Sequence, residues 1–120
     1  MSKRDDRAYL KDIIIACGNI LSYKEGFDFN KFLKDRKTQD AVVRNIEIIG
    51  EAVKNISEEL KEKYPEIEWR GIAKTRDKLI HAYFGIDLDI IWDIINVDIP
   101  QLKSQIEEAV SYTHLTLPTK

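Results

Sequence analysis

Ala41-Val42-Val43-Arg44-Asn45-Ile46-Glu47-Ile48-Ile49-Gly50-Glu51-Ala52-Val53-Lys54-Asn55-Ile56 is the stretch that decides the fold class. Val42, Ile46, Ile49, Val53 and Ile56 recur at steps of four, three, four and three. That spacing gathers them on one side of a helix and would scatter them over both sides of a strand. It predicts a long helix over 38–56. Ile48 and Ala52 flank the stripe and widen it, as expected of a helix that meets two surfaces, another helix and a second subunit.

The same period extends in both directions. Upstream, Tyr9, Ile13, Ala16, Cys17, Ile20 and Leu21 share a helical face within 4–24. Lys24 to Asp28 reads as a turn in which Gly26 can take a positive φ, and Phe27, Phe29, Phe32 and Leu33 form an apolar cluster suited to closing one end of the core. Downstream, Ser57 before Glu58-Glu59-Leu60 has the form of an N-cap on one short turn. Tyr64-Pro65 breaks the chain, because proline disfavours helix in the residue before it. A third helix is predicted from Trp69 to Phe84, ending at Gly85. A fourth starts near Asp87 and runs through Leu88, Ile91, Trp92, Ile95, Ile99, Leu102, Ile106 and Val110. Pro100 lies inside it and predicts a kink or short break. Ile90-Ile91 and Ile94-Ile95 are β-branched, yet they recur at helical spacing and no Asn-Gly or Asp-Gly hairpin turn accompanies them. The reading is all-α.

Length and composition bound the rest. A chain of 120 residues has room for one core. Its 19 Lys+Arg against 21 Asp+Glu leave a net charge of −2, so contact with nucleic acid has to rely on a local patch. One Cys excludes an internal disulfide and a Cys-rich zinc site. No apolar run approaches the ~20 residues of a membrane span, and Met1-Ser2-Lys3-Arg4-Asp5-Asp6-Arg7 leads into no apolar signal region. A cytoplasmic setting without membrane contact is therefore expected. Residues 111–120 contain no acidic residue and show no helical period. They are expected to be a disordered tail or an appended extension, with His114 inside it, outside a helical domain over 1–110.

Chemistry concentrates in the third helix. With Ile72 at zero, 100° per residue places Arg76 near about 40°, Leu79 near about 340° and Tyr83 near about 20°. Arg76 thus sits in the middle of an apolar stripe. A guanidinium there needs a carboxylate, a wet cleft or an anionic ligand. The structural reading is an ion pair or a snorkelling side chain; the functional one is a planar fork for a phosphate. His81 lies five residues on, about 140° round the helix, and alone would be surface decoration. Beside an arginine cleft its imidazole becomes a candidate acid–base group. Two routes bring the pair together: loosening of the helix before Gly85, or a two-fold dimer with a shared cleft. Tyr83 defaults to core packing, with a phenol able to bond a phosphate or accept a modification. Arg70, Lys74, Arg76 and Lys78, opposed there only by Asp77, form the one locally basic segment.

Arg76-Asp77-Lys78-Leu79-Ile80-His81-Ala82-Tyr83 is an R-x4-H-x-Y pattern. It resembles the signature of HEPN-domain proteins, specifically the HepT-like toxins of bacterial and archaeal toxin–antitoxin modules. Three further blocks agree: 41–52, Ile67 to Ala73, and Phe84 to Asp87 with Trp92 and Ile99 to Leu102. The resemblance spans about 4–110. It implies an antiparallel HEPN-like bundle of four to five helices, homodimeric, with both motifs facing one cleft. It also implies a metal-independent endoribonuclease that uses no cofactor. Arg76 and His81 become the catalytic pair, Asp77 and Lys78 accessory positions, and Tyr83 the target of adenylylation by a minimal nucleotidyltransferase antitoxin. Asp77 stands where the family often has Asn, and Glu51 and Asp87 stand out only through the resemblance. Two other classes stay open at this point: a non-catalytic subunit that holds a nucleotide or substrate for a nucleotidyltransferase, and a plain helical dimerisation module.

Overall fold

The computed structural model describes residues 5–84 and 87–116, apart from the side chains of residues 73, 78, 80–84 and 112–116. Helix α1 (Asp6–Tyr23) leads through a turn to the short α2 (Phe29–Leu33), then to α3 (Arg36–Asn55), the short α4 (Glu58–Lys63) and α5 (Trp69–Phe84). The last run comprises α6 (Leu88–Asp93), a π-helical turn (Ile94–Asp98) and α7 (Ile99–Thr116) without a break between them. Four long helical runs therefore make the bundle, with α2 and α4 as short connectors. Among the described residues there is no strand. No described helix is long and apolar enough to cross a membrane.

Side-chain caps set where the helices start. Carboxylates of Asp5, Asp28 and Asp35 accept the N–H of Ala8, Lys31 and Thr38, opening α1, α2 and α3. The Ser57 hydroxyl accepts the N–H of Leu60, the cap expected for α4. Asp6 reaches the same corner from α1 and accepts from the Ser57 N–H at 2.9 Å and its hydroxyl at 2.6 Å. Gly26 has φ 76° and closes the turn after α1.

The expected stripes form the core. Val42, Ile46, Ile49, Val53 and Ile56 of α3 and its end are all buried, as are Ile13, Ala16, Cys17 and Ile20 of α1. Helix α3 packs against α1 on one side and α5 on another; of the two flanking residues Ala52 is buried and Ile48 is half-buried against the core. Of the aromatic cluster, Phe32 is fully enclosed and Leu33 is exposed. Its second wall is Trp92, 5.1 Å from Phe32 between ring centroids. A part-buried polar pair crosses the α1–α3 seam: Asn19 Nδ2 donates to Asn45 Oδ1 at 3.1 Å, and Asn45 Nδ2 donates to the Ala41 carbonyl.

Two expectations about the last run are corrected. The irregularity at Pro100 is neither kink nor break but the π turn just before it. Pro100 has no N–H to give the Asn96 carbonyl and its ring crowds that group. Widening the preceding turn, so that the Ile99 N–H donates five residues back to Ile94, accommodates it within a continuous helix. The helix also does not stop at 110: α7 continues through Thr116, so 111–116, His114 included, have helical backbone. Pattern failed there because helix propagation from an established run does not need an apolar stripe. Residues 117–120 lie outside the described residues.

Cys17 is enclosed between α1 and α7, and burial pushes its thiol up to about 12. It stays protonated at neutral pH and is no nucleophile. An aromatic disulfide reagent at pH 8 should label the native chain at the rate of its opening and the urea-unfolded chain at once. Equal, immediate labelling of both states would contradict this burial.

Candidate functional site

Helix α5 carries the motif, and its placement follows from its apolar side. Trp69 and Leu79 are buried and Ile72 is half-buried against the core. The Trp69 indole N–H donates to the carbonyls of Lys61 and Tyr64 at 3.2 and 3.1 Å, tying the start of α5 to the end of α4. Thr75 returns its hydroxyl to the Gly71 carbonyl. One side of the helix is thereby fixed on α3, and the azimuth reading places Arg76 on that side.

Arg76 is half-buried and faces α3. Its stem crosses that helix at Gly50, and it belongs to the walls of two clefts at once. The larger, about 700 Å³, lies between the ends of α3, α4 and α5, with Lys54, Lys61, Arg70, Trp69 and Asp77 in its wall. The smaller, about 420 Å³, lies between α1 and α3 and is walled by Tyr9, Asp12, Arg44, Glu47, Ile48, Glu51 and Ala52. Ion pairs among the described residues join Arg36 to Asp40, Lys61 to Glu58 and Lys103 to Glu107; none involves Arg76. Asp77 is exposed in the larger cleft and is likewise in none of these pairs. The structural alternative of an Arg76–carboxylate pair is thus not seen among the described residues.

The basic segment is reshaped by the fold. Arg70 and Arg76 share the larger cleft with Lys54 and Lys61, but Glu58, Glu62, Glu68 and Asp77 line it as well. Four cations meet four carboxylates, so the sequence-local excess of positive charge is balanced in space. Sequence reading missed this because Glu58, Glu62 and Glu68 lie outside the stretch from Arg70 to Lys78 and join it only in the cleft wall. Lys74 is exposed and is absent from both walls. Glu51 is exposed in the smaller cleft, and Asp87 stands at the start of α6 without a side-chain cap bond.

The side chains of His81, Tyr83 and Lys78 lie outside the described residues, and so does Gly85. Their backbone positions in α5 are helical through Phe84. No unwinding ahead of residue 85 turns position 81 towards position 76, so the first of the two routes for joining them is not taken within the chain.

Comparison with known proteins agrees with this architecture. Residues 13–109 match the family model described as "Ribonuclease HepT-like". A "Putative RNase" of Methanocaldococcus jannaschii is 49% identical over 110 residues, covering 92% of this chain and 91% of the relative. The "Probable ribonuclease HepT" of Thermococcus cleftensis is 49% identical over 106 residues, 88% of this chain and 96% of the relative. A "Putative RNase" of Caldanaerobacter subterraneus subsp. tengcongensis is 45% identical over 102 residues, 85% and 91% of the two chains. No solved structure gives a significant match. The helical bundle, the motif on α5 and a family match that spans most of the chain lead to one assignment: the chain belongs to the HepT-like ribonuclease family.

Proposed function

We propose that this HepT-like ribonuclease is the RNA-cleaving toxin of a two-component module, acting in the cytoplasm as a metal-independent endoribonuclease through Arg76 and His81. The observation that carries the reading is Arg76, half-buried where two clefts meet and in no ion pair among the described residues. A guanidinium kept there is positioned to receive an anion, and its fork fits two phosphate oxygens. RNA brings its own nucleophile, the ribose 2′-hydroxyl. In the proposed step a neutral His81 takes the hydroxyl proton as the oxygen attacks phosphorus, and Arg76 stabilises the charge that builds on the non-bridging oxygens. The P–O5′ bond breaks, leaving a 2′,3′-cyclic phosphate and a 5′-hydroxyl. Since α5 stays helical between positions 76 and 81, the second copy of a homodimer is the proposed source of the facing histidine, which protonates the leaving oxygen.

The test is direct. Purified protein, free of any partner, is expected to cut end-labelled RNA in the presence of EDTA and leave cyclic-phosphate ends. RNA left intact, while a control ribonuclease cuts it, would overturn the reading in favour of a non-catalytic subunit.

Regulation by a nucleotidyltransferase antitoxin acting on Tyr83 belongs to the same proposal. An adenylyl group adds bulk and a negative charge two residues from His81, which would compete for Arg76 and exclude RNA. Co-expression with such a partner should raise the intact mass by one or more adenylyl units. An unchanged mass, or full modification of Tyr83→Phe, would count against it.

A further inference from the structure

Gly50 stands in the interior of α3, in a stretch whose apolar residues keep a helical period on both sides of it. Glycine there is unfavourable relative to alanine, because it carries the largest conformational entropy into the folded state. No special backbone geometry requires it: the positive φ among the described glycines belongs to Gly26, not to Gly50. What requires it is close approach. A Cβ on Gly50 would lie 2.6 Å from Cδ of Arg76 and 3.5 Å from its Cβ and Cγ. Gly18, the interior glycine of α1, meets nothing closer than Lys103 Cε at 3.9 Å, an ordinary contact. Gly71, near the start of α5, would bring a Cβ to 3.1 Å from Glu68 Cβ, a contact within its own turn; Gly50 alone among the described glycines would run into Arg76.

We propose that Gly50 is a positioning residue for Arg76: the missing side chain forms a notch in α3 through which the arginine stem passes to the meeting point of the two clefts. The inference rests on the reading of Arg76 as the phosphate-binding arginine. A methyl group in the notch collides with the middle of the stem, not its tip. Rotation about the first side-chain bonds relieves the collision and carries the guanidinium with it. Misplacement of this order by a residue that never touches substrate is expensive in catalysis. Helix α3 itself should tolerate the change, since alanine is the better helix former.

The experiment uses the full chain with Gly50→Ala, Gly18→Ala, Arg76→Ala and the double variant Gly50→Ala/Arg76→Ala. Gly50→Ala is expected to lower kcat/KM for RNA cleavage by about 10- to 100-fold without lowering the melting temperature, and Gly18→Ala to leave cleavage as it was. The Arg76 Nε–Hε cross-peak in a ¹H–¹⁵N spectrum should move in Gly50→Ala and hold its place in Gly18→Ala. An unmoved cross-peak overturns the positioning role whatever the activity. For RNA carrying a 2′-deoxy residue at the cleaved position, Gly50→Ala should weaken binding only while the Arg76 side chain is present. Equal weakening in the Arg76→Ala background means the loss does not pass through Arg76 and overturns the inference. Should Gly50→Ala unfold the chain, adding Arg76→Ala removes the collision and restores the fold; a double variant that stays unfolded overturns it as well. Failure of the underlying reading looks different: Arg76→Ala then cleaves as the parent does. Loss in Arg76→Ala with full activity in Gly50→Ala rejects the notch alone.

Discussion

His81→Ala cuts the rate of RNA cleavage by about 10²- to 10⁴-fold, the range that removal of a general base gives, while the melting temperature stays near that of the parent. The size follows from the chemistry. A ribose hydroxyl is a poor nucleophile until its proton leaves, and His81 is the group proposed to take it; Arg76 is always charged and Cys17 is enclosed and protonated. Arg76→Ala is expected to fall by a comparable factor for a different reason, loss of the charge that faces the phosphate oxygens. Timed cleavage of a labelled RNA measures both. Equal rates for His81→Ala and the parent would move the reaction to other residues.

The largest effect on stability is expected at Phe32. Its side chain is fully enclosed between α3 and α6, 5.1 Å from the Trp92 ring, and Phe29 lies 6.1 Å from the same ring. Its carbonyl accepts from Gln39 Nε2 at 2.9 Å, so backbone and side chain are both anchored. Phe32→Ala should cost about 3–5 kcal/mol, because the surrounding helices cannot close over the space it leaves. Against the about 5–15 kcal/mol that holds a domain of this size together, urea unfolding should show a much earlier midpoint. Leu33→Ala, next in sequence but 42% exposed, should stay within about 0.5 kcal/mol. Coincident midpoints for Phe32→Ala and the parent would show that α2 does not close the core.

Much of this architecture was legible because periodicity and burial answer to the same geometry. The α3 stripe from Val42 to Ile56 and the run of Ile13, Cys17 and Ile20 were readable as core from spacing alone, and both are buried. Arg76 was readable as an intruder in an apolar face, and its half-burial beside α3 agrees. Other features depend on distance in space, which a single chain of letters does not encode. The carboxylates of Glu58 and Glu62 balance Arg70 and Arg76 only because the fold sets all four round one cleft. The aspartate caps at Asp5, Asp28 and Asp35 were overlooked, since Asp is common and its capping bond depends on local backbone angles. Gly50 gave one visible signal, a glycine inside a strong helix, but its neighbour 26 residues away needed coordinates.

The π turn before Pro100 has a mechanical consequence. It divides one continuous rod into two lengths with different attachments: α6 leans on α5 and α2, and α7 lies along α1. A widened turn has poorer hydrogen bonds than the α-helix on either side, and Lys24 Nζ donating to Asn96 Oδ1 at 2.6 Å clips it to the end of α1. Compliance is therefore concentrated at a clamped joint. The short length packed on α5 and α2 should therefore be able to tilt about this joint without dragging α7 off α1.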